Sequence, residues 1–252
     1  RQERFTEALV DFDHAISLAP KDAYLRAGRG GVYAALDRLQ EALADYNKAI
    51  EVSPDTAELY SARGNLLERL GRNSAALEDH NTAVRLSNND VECLTSRAGY
   101  FMRNSNERAA IEDLNLAIAQ SDDTALAYLS RGQAYLNLRY PTRALEDVER
   151  CIELDPSILF AYVAKANALA ALSRFEEAIV PLLSVLGDVP GYSPAHLSLG
   201  YIWEARGEYD KAVESFRNAY AHAADPTQRN EAKEALDALS VEIQKERING
   251  AP

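Results

Sequence analysis

Residues 125–158 read ALAYLSRGQAYLNLRYPTRALEDVERCIELDPSI, and moving along the chain by 34 residues in either direction brings a similar stretch into register. At this offset seven alanines align without a gap: Ala8, Ala42, Ala76, Ala110, Ala144, Ala178 and Ala212. A fixed period of this length is typical of proteins that are built from stacked repeats. We therefore predict a repeat array for most of the chain.

Each copy contains two helical patterns joined by a short turn. In the quoted copy, Gly132 and Tyr135 lie on the stripe of the first helix, and Ala144 and Val148 lie on that of the second. Pro141 suits the first position of the second helix, because its missing N–H costs nothing there. Small residues in both stripes allow the two helix backbones to approach closely. Each copy is therefore predicted to be a helix hairpin.

This hairpin pattern resembles the tetratricopeptide repeat, and its copies cover residues 1 to 226. The residues that carry the resemblance are Tyr128, Gly132, Tyr135, Ala144, Cys151 and Pro156. The resemblance implies an all-α fold, a right-handed α-solenoid or superhelix of hairpins, with a concave groove lined by the first helix of each repeat. It is specific for the fold and says little about the function.

The register of the repeats predicts how the chain is divided. Residues 1–22 match only a second helix, so we expect that the chain was cut from a longer protein or that another chain covers that face. After residue 226 the repeat columns fail, and an apolar stripe through Ala232, Ala235 and Leu239 predicts a capping helix. The predicted parts are the half repeat 1–22, the full repeats 23–56, 57–90, 91–124, 125–158, 159–192 and 193–226, the capping helix 227–247 and a frayed tail 248–252.

The charge and the cysteines limit the possible partners. A net charge of −12 disfavours nucleic acid, whose phosphates are bound by Lys and Arg, and favours an apolar or basic protein segment. Cys151 stands in a column of small residues and is predicted to be a buried small hydrophobe. Cys93 lies in another repeat, and the two cysteines give no disulfide framework. The most apolar stretch, 159–172, is too short to span a membrane. The compartment stays open between cytoplasm and periplasm.

The sequence shows no pattern that predicts catalysis. The four histidines have no metal-ligand spacing, and the glycine-rich stretch at 26–31 lacks the Lys and Ser/Thr of a phosphate loop. No nucleophile stands with a base, and the acids are spread by the repeat period. We therefore predict a protein that is not an enzyme, with no metal and no cofactor.

A charged column recurs with the repeat period. Bases follow acids at a spacing of 18 residues, in the pairs Asp11 and Arg29, Asp45 and Arg63, Asp79 and Arg97, Asp113 and Arg131, and Asp147 and Lys165. We predict that these pairs join each second helix to the first helix of the next repeat, while pairing inside a repeat at a spacing of 16 is the alternative. Pro181 replaces the next acid and predicts a kink or an early break in its helix.

The resemblance also implies a binding surface, because the second, fifth, ninth and twelfth residues of each first helix face inward in this family. In the C-terminal half these positions are mostly apolar, with amides at the ninth position that could bond to a peptide backbone. The predicted peptide-binding residues there are Leu126, Leu129, Gln133, Leu136, Phe160, Val163, Asn167, Leu197 and Tyr201. The polar N-terminal half contributes Asn65, with Arg69 and Arg103 at its border, and Tyr24 above a cleft at Gly28 and Gly31. The alternative is that the apolar residues only pack between repeats.

The leading interpretation is a noncatalytic interaction scaffold that binds a peptide segment of a partner, mainly in the apolar half of the groove. One alternative is a recruiting arm of a larger enzyme or complex. Another is self-assembly, with a homo-oligomer formed through the uncovered N-terminal helix or the groove. The inward positions carry no lysine, which argues against a carboxylate clamp of the co-chaperone type.

Overall fold

The two helices of each hairpin are joined by a tight turn whose backbone geometry is the same in all six hairpins. The structure, a computed structural model, describes residues 2–249, with side chains from residue 4 to residue 245. One residue in each turn has a positive φ: Asp37, Gly71, Ser105, Arg139, Ser173 and Gly207. In the last of these turns the N–H of Glu208 bonds to the carbonyl of Trp203, which closes the end of the first helix. The N–H of Gly207 also bonds to the carbonyl of Glu204. The same two bonds recur at the equivalent residues of the other five turns, so each hairpin has the same turn geometry.

The described residues form fourteen α-helices and no strand. They are α1 (Gln2–Leu18), α2 (Ala23–Ala35), α3 (Leu39–Val52), α4 (Ala57–Arg69), α5 (Asn73–Leu86), α6 (Val91–Arg103), α7 (Glu107–Gln120), α8 (Ala125–Asn137), α9 (Pro141–Leu154), α10 (Leu159–Ala171), α11 (Phe175–Asp188), α12 (Ser193–Ala205), α13 (Tyr209–Ala221) and α14 (Pro226–Asn249). The prediction of an all-α solenoid of helix hairpins is therefore confirmed. The part of the predicted tail from residue 250 onward lies outside the described residues.

The helices form two units, residues 1–122 with α1 to α7 and residues 123–252 with α8 to α14. In the first unit each helix packs against the next along the chain, and α4 also contacts α6. In the second unit α10 contacts α8 and α12, and α12 contacts α14. The first helices of the three repeats and the C-terminal helix α14 therefore form one layer. The second helices α9, α11 and α13 pack between them.

Close packing inside each hairpin depends on small residues at one column. At Gly200 an added Cβ would lie 2.3 Å from the ring of Phe216, which is fully buried between α12, α13 and α14. At Gly132 an added Cβ would lie 2.9 Å from Val148. Because a side chain at these positions would displace a core residue, the small column lets the two helices meet. On α14, Ala235 and Leu239 complete the cluster around Phe216.

The charged column pairs at a spacing of 16, so the prediction of 18 is wrong. Each arginine donates two hydrogen bonds to the aspartate of its own hairpin, as Arg131 does to Asp147 at 2.8 and 2.7 Å. The other three pairs are Arg29 with Asp45, Arg63 with Asp79, and Arg97 with Asp113. All four aspartates are buried, and the bond to Asp147 raises the pKa of Arg131.

Arg63 and Arg97 of the first unit also contact the preceding repeat, but the acceptor there is an asparagine and not the predicted aspartate. In the first unit Arg63 Nη1 donates to Asn47 at 2.8 Å, and Arg97 Nη1 donates to Asn81 at 2.9 Å. These residues follow the aspartate column by two positions, which is about 200° around an α-helix. The aspartate therefore faces its own first helix, while the residue two positions later faces the first helix of the next repeat.

The early break predicted at Pro181 is wrong, because α11 continues as one helix from Phe175 to Asp188. Proline removes a backbone hydrogen bond there. The neighbouring residues Ile179, Leu182 and Val185 are buried in a large core cluster of the second unit. We attribute the continuity of the helix to this burial, which compensates for the lost bond.

Candidate functional site

The first helices of the second unit expose three large apolar side chains among the predicted groove residues. Leu126 is 61% exposed, Phe160 is 42% exposed and Tyr201 is 46% exposed. Leu126 and Phe160 stand at the second position of their helices, outside the contacts that hold the hairpins together. A solvent-exposed leucine and phenylalanine at the same position of consecutive repeats are available to a ligand.

Two other predicted groove residues belong to the core, so the expectation that they face the groove is wrong. Leu129 packs in a cluster with Ala161 and Ala164 of the next first helix, and Val163 lies in the cluster that contains Ala195. Both side chains are less than one tenth exposed. The fifth position of the first helix is therefore used for packing between repeats. Leu136 and Leu197 are half-buried, and Leu197 packs against the α13 and α14 cluster.

The amides at the ninth position differ from one another. Gln133 is half-buried and donates a hydrogen bond to Asn137 Oδ1 at 3.1 Å. Asn167 is exposed on α10, and Asn65 is exposed on α4 in the first unit. Asn167 is thus an accessible amide on the same helix as Phe160.

The surroundings of Tyr201 are acidic. Its ring meets that of Phe216 edge to face, with centroids 5.0 Å apart. Burial raises the pKa of Tyr201, and the carboxylates of Glu231, Glu204 and Glu234 raise it further. Burial also raises the pKa of Glu204, with a contribution from a further carboxylate on α14. An exposed aromatic ring beside several carboxylates suits a segment that carries both apolar and cationic side chains.

In the first unit the predicted polar residues line a cleft of about 500 Å³. Its walls are Asn65, Glu68, Arg69, Asn73, Arg103 and Asn104. Both predicted arginines are engaged within the protein. Arg103 donates to Glu68 at 2.7 and 2.9 Å, and Arg69 donates to Asp37 at 3.0 Å and to the carbonyl of Ala34 at 2.9 Å. The cleft therefore offers charged groups that are already paired.

His80 lies beneath this cleft, fully buried, with Nε2 at 3.0 Å from Glu68 Oε1. Its Nδ1 atom is buried without a hydrogen-bond partner. Burial lowers the pKa of His80, although the hydrogen bond to Glu68 acts in the opposite direction. Burial raises the pKa of Glu68, but the bonds from Arg103 and His80 outweigh it and lower the pKa. The helix pattern places His80 in a core column, but nothing in the sequence pairs it with Glu68.

Tyr24 is 65% exposed, but the cleft predicted beneath it at Gly28 is filled. An added Cβ at Gly28 would lie 2.6 Å from the ring of Phe12 on α1, so this glycine serves helix packing. Tyr24 instead borders a cleft of about 420 Å³ whose walls include Glu58 and Glu92. This exposed aromatic residue also stands beside carboxylates.

Two further searches cover only the described part of the chain. No helix there is long and apolar enough to cross a membrane. Within the same residues, no three His, Cys, Asp or Glu side chains are grouped so that they could hold a metal ion.

Stacked hairpins with exposed apolar and acidic surfaces define a helical repeat protein of the kind that presents binding surfaces. A TPR repeat model matches residues 30–71, and tetratricopeptide repeat models match residues 125–158 and 163–239. The chain belongs to the tetratricopeptide repeat family. A comparison with curated proteins gives no match.

Solved structures with the same fold have low sequence identity to this chain. A tetratricopeptide repeat protein from Parabacteroides merdae is 18% identical, with 95% of this chain and 93% of that chain covered and a TM-score of 0.75. A chain of the APC/C hetero-tetramer Cut9–Hcn1 is 15% identical, with 92% of this chain covered and a TM-score of 0.74, and this protein spans only 46% of it. Human IFIT1, solved as a dimer with PPP-AAAA, is 16% identical over 98% of this chain and 61% of its own, with a TM-score of 0.76. These similarities show the fold.

The repeats and the structural neighbours support a protein-interaction scaffold in general terms. The family is generally non-catalytic. Protein partners are the class of ligand that this fold suggests.

Proposed function

We propose that the protein is a noncatalytic scaffold that binds a peptide segment of a partner on the first helices of its second unit. The observation that carries the proposal is the exposure of Leu126 and Phe160 at equivalent positions of consecutive repeats. Neither residue is needed to hold its hairpin together, so their apolar character is best explained by a ligand. Asn167 adds an exposed amide that could bond to the backbone of an extended segment.

The preferred segment combines apolar and basic side chains. Tyr201 is the third exposed large side chain of this surface. The carboxylates of Glu204, Glu231 and Glu234 are close enough to raise its pKa. The chain as a whole carries a net charge of −12. Such a field attracts cationic segments and accelerates their association at low ionic strength.

A peptide selection tests this proposal. Peptides selected from a random phage-displayed library on the wild-type protein are synthesised with a fluorescent label, and their Kd is measured by anisotropy. We expect the double variant Leu126→Glu, Phe160→Glu to raise the Kd of the groove-binding peptides at least tenfold. The matched control is Val241→Glu, which changes another exposed apolar residue of the second unit and leaves Kd within about twofold.

Two results would contradict the proposal. Selected peptides that bind the double variant as tightly as the wild type would place binding elsewhere. Enrichment of acidic peptides would contradict the role given to the carboxylates around Tyr201. The melting temperature of each variant shows whether the fold is retained.

A further inference from the structure

The outer face of the second helix changes character in one repeat. In three consecutive repeats two positions on this face carry polar residues: Glu78 and Asn81, Glu112 and Asn115, and Glu146 and Glu149. In the repeat 159–192 the same two positions are Val180 and Leu183. These side chains are 65% and 55% exposed on α11. At the second position the change follows the next repeat, because Asn81 accepts a bond from Arg97 whereas Leu199 stands at that arginine position after Leu183. The hairpin does not require valine at the first position, where the three preceding repeats carry glutamate.

A cleft of about 450 Å³ opens beside Val180, between α9, α10 and α11. Its walls combine apolar residues with polar and charged ones, namely Ile152, Tyr162, Leu169, Val180 and Pro181 with Glu149, Lys165, Arg174, Glu177 and Ser184. This volume is in the range of pockets that accommodate ligands, and it is sufficient for a large apolar side chain. Val180 therefore belongs both to the wall of the cleft and to the exposed face of α11.

The buried ion pair of the preceding repeat is absent at this cleft. In the preceding repeat Arg131 bonds to Asp147 through two nitrogens. The equivalent residues here are Lys165 and Pro181, which cannot form that pair. Lys165 instead bonds to Glu149 of α9 at 2.8 Å and lines the cleft. The cleft is therefore lined by Pro181 and Lys165 at the positions where the preceding repeat has a buried ion pair.

The border of this surface is acidic. Helix α11 carries Glu176, Glu177 and Asp188 and no basic residue. Three cations here are paired with carboxylates, since Lys165 pairs with Glu149 of α9, Arg174 donates to Glu177 at 2.8 and 2.6 Å, and Arg206 pairs with Glu176 at 2.8 Å. Asp188 adds a carboxylate beyond these pairs, and the chain carries a net charge of −12. A basic partner is therefore favoured, and a second copy of this chain is disfavoured because two acidic borders would repel each other.

We propose that the outer face of α11 and the adjoining cleft bind an amphipathic helix of a partner protein, apolar on its contact face and flanked by lysine or arginine. One large apolar side chain of that helix enters the cleft, and its neighbours one turn away contact Val180 and Leu183. A basic residue at its flank meets Asp188, and the net charge of −12 favours further cations in the partner. This surface lies on second helices and is separate from the first-helix site proposed above.

The test uses the double variant Val180→Glu, Leu183→Asn, which introduces the residues that other repeats carry at these positions. The fold should therefore be retained, and the melting temperature checks this. Phage-displayed peptides are selected on the wild-type protein with counter-selection on the double variant, and the enriched peptides are synthesised as fluorescent probes. We expect sequences with apolar residues at helical spacing and an excess of Lys and Arg. Their Kd should rise at least tenfold in the double variant.

Two matched controls make the result specific. Leu116→Arg changes an exposed leucine of α7 to the residue that α9 carries at the equivalent position, Arg150, and should leave Kd within about twofold. The variant Leu126→Glu, Phe160→Glu should likewise leave these peptides bound, so that failure of this site and failure of the first-helix site are distinguished. The proposal is overturned if no selected peptide discriminates wild type from the double variant, or if the enriched peptides are acidic. It is also overturned if light scattering shows a wild-type dimer that this variant dissociates, because the occupant is then a second copy.

Discussion

The repeats 125–158 and 159–192 are neighbours in one unit and differ in an instructive way. Both form the same hairpin, with a small residue, Gly132 or Ala166, where the two helices meet. The first has a buried ion pair and a polar outer face, whereas the second has neither and exposes apolar residues on α11. The comparison teaches that small and apolar columns are enough for the hairpin, while the charged column and the outer face are free to change.

We expect the largest change in stability from breaking the pair of Arg131 and Asp147, which the repeat 159–192 lacks. Asp147→Ala leaves the guanidinium of Arg131, which is mostly buried, without its carboxylate. We expect the free energy of unfolding to fall by about 3 kcal/mol, because removal of one partner of a buried pair leaves a charge uncompensated. Urea denaturation followed by circular dichroism measures the loss.

The control for this prediction is Glu146→Ala, one residue earlier and exposed on the same helix. Its effect should stay within about 0.5 kcal/mol, as is usual at a surface position. Equal losses in both variants would show that the pair does not explain the difference between the repeats.

A transplant sharpens the same comparison. Lys165→Arg with Pro181→Asp introduces the pair of the preceding repeat into the repeat 159–192 and restores the backbone N–H that proline lacks. We expect the two substitutions to stabilise each other by about 1 to 2 kcal/mol, the range of a hydrogen bond to a charged group. A double-mutant cycle measures this coupling. A coupling energy near zero would mean that the surrounding repeat, and not the missing residues, prevents the pair.

The smallest effect on stability is expected at His80 in the first unit. The equivalent residues of the two repeats compared above are apolar, Val148 and Leu182. Because burial lowers the pKa of His80 below its ordinary value of 6.5, the unfolded chain takes up a proton there that the folded chain resists. Stability should therefore be complete above about pH 6.5 and fall as the pH drops from there towards the lower folded pKa, by at most about 1.4 kcal/mol per pH unit. His80→Leu, which introduces the residue of the next repeat, should remove this loss between pH 7 and pH 5.

The exposed His14 provides the control for the pH measurement, since His14→Leu should retain the wild-type dependence. Glu68, whose pKa is lowered, adds a loss of stability only at lower pH, as the pH falls below its ordinary value of 4.5. An unchanged pH dependence in His80→Leu would contradict the assignment.

The sequence predicted correctly those features that follow from aligning one repeat with the next. The period places the small columns of residues such as Gly132 and Ala144, and these positions alone predict that two helices meet closely. It was unreliable for Leu129 and Val163, which stand at an inward position of the family pattern but are used for packing between repeats. A period states which residues are equivalent, but it does not state how much of each is covered by the next copy.

The sequence by itself determined the all-α hairpin fold, because the same small and apolar residues return every 34 positions and only helical hairpins bury them all. Only the tertiary structure decided that the arginines pair at a spacing of 16 and that the helix through Pro181 continues. It also decided which apolar residues, such as Phe160 and Val180, stay exposed. The physical reason is that pairing and exposure depend on the direction in which a side chain leaves its helix and on what the neighbouring repeat places there, and both are three-dimensional properties.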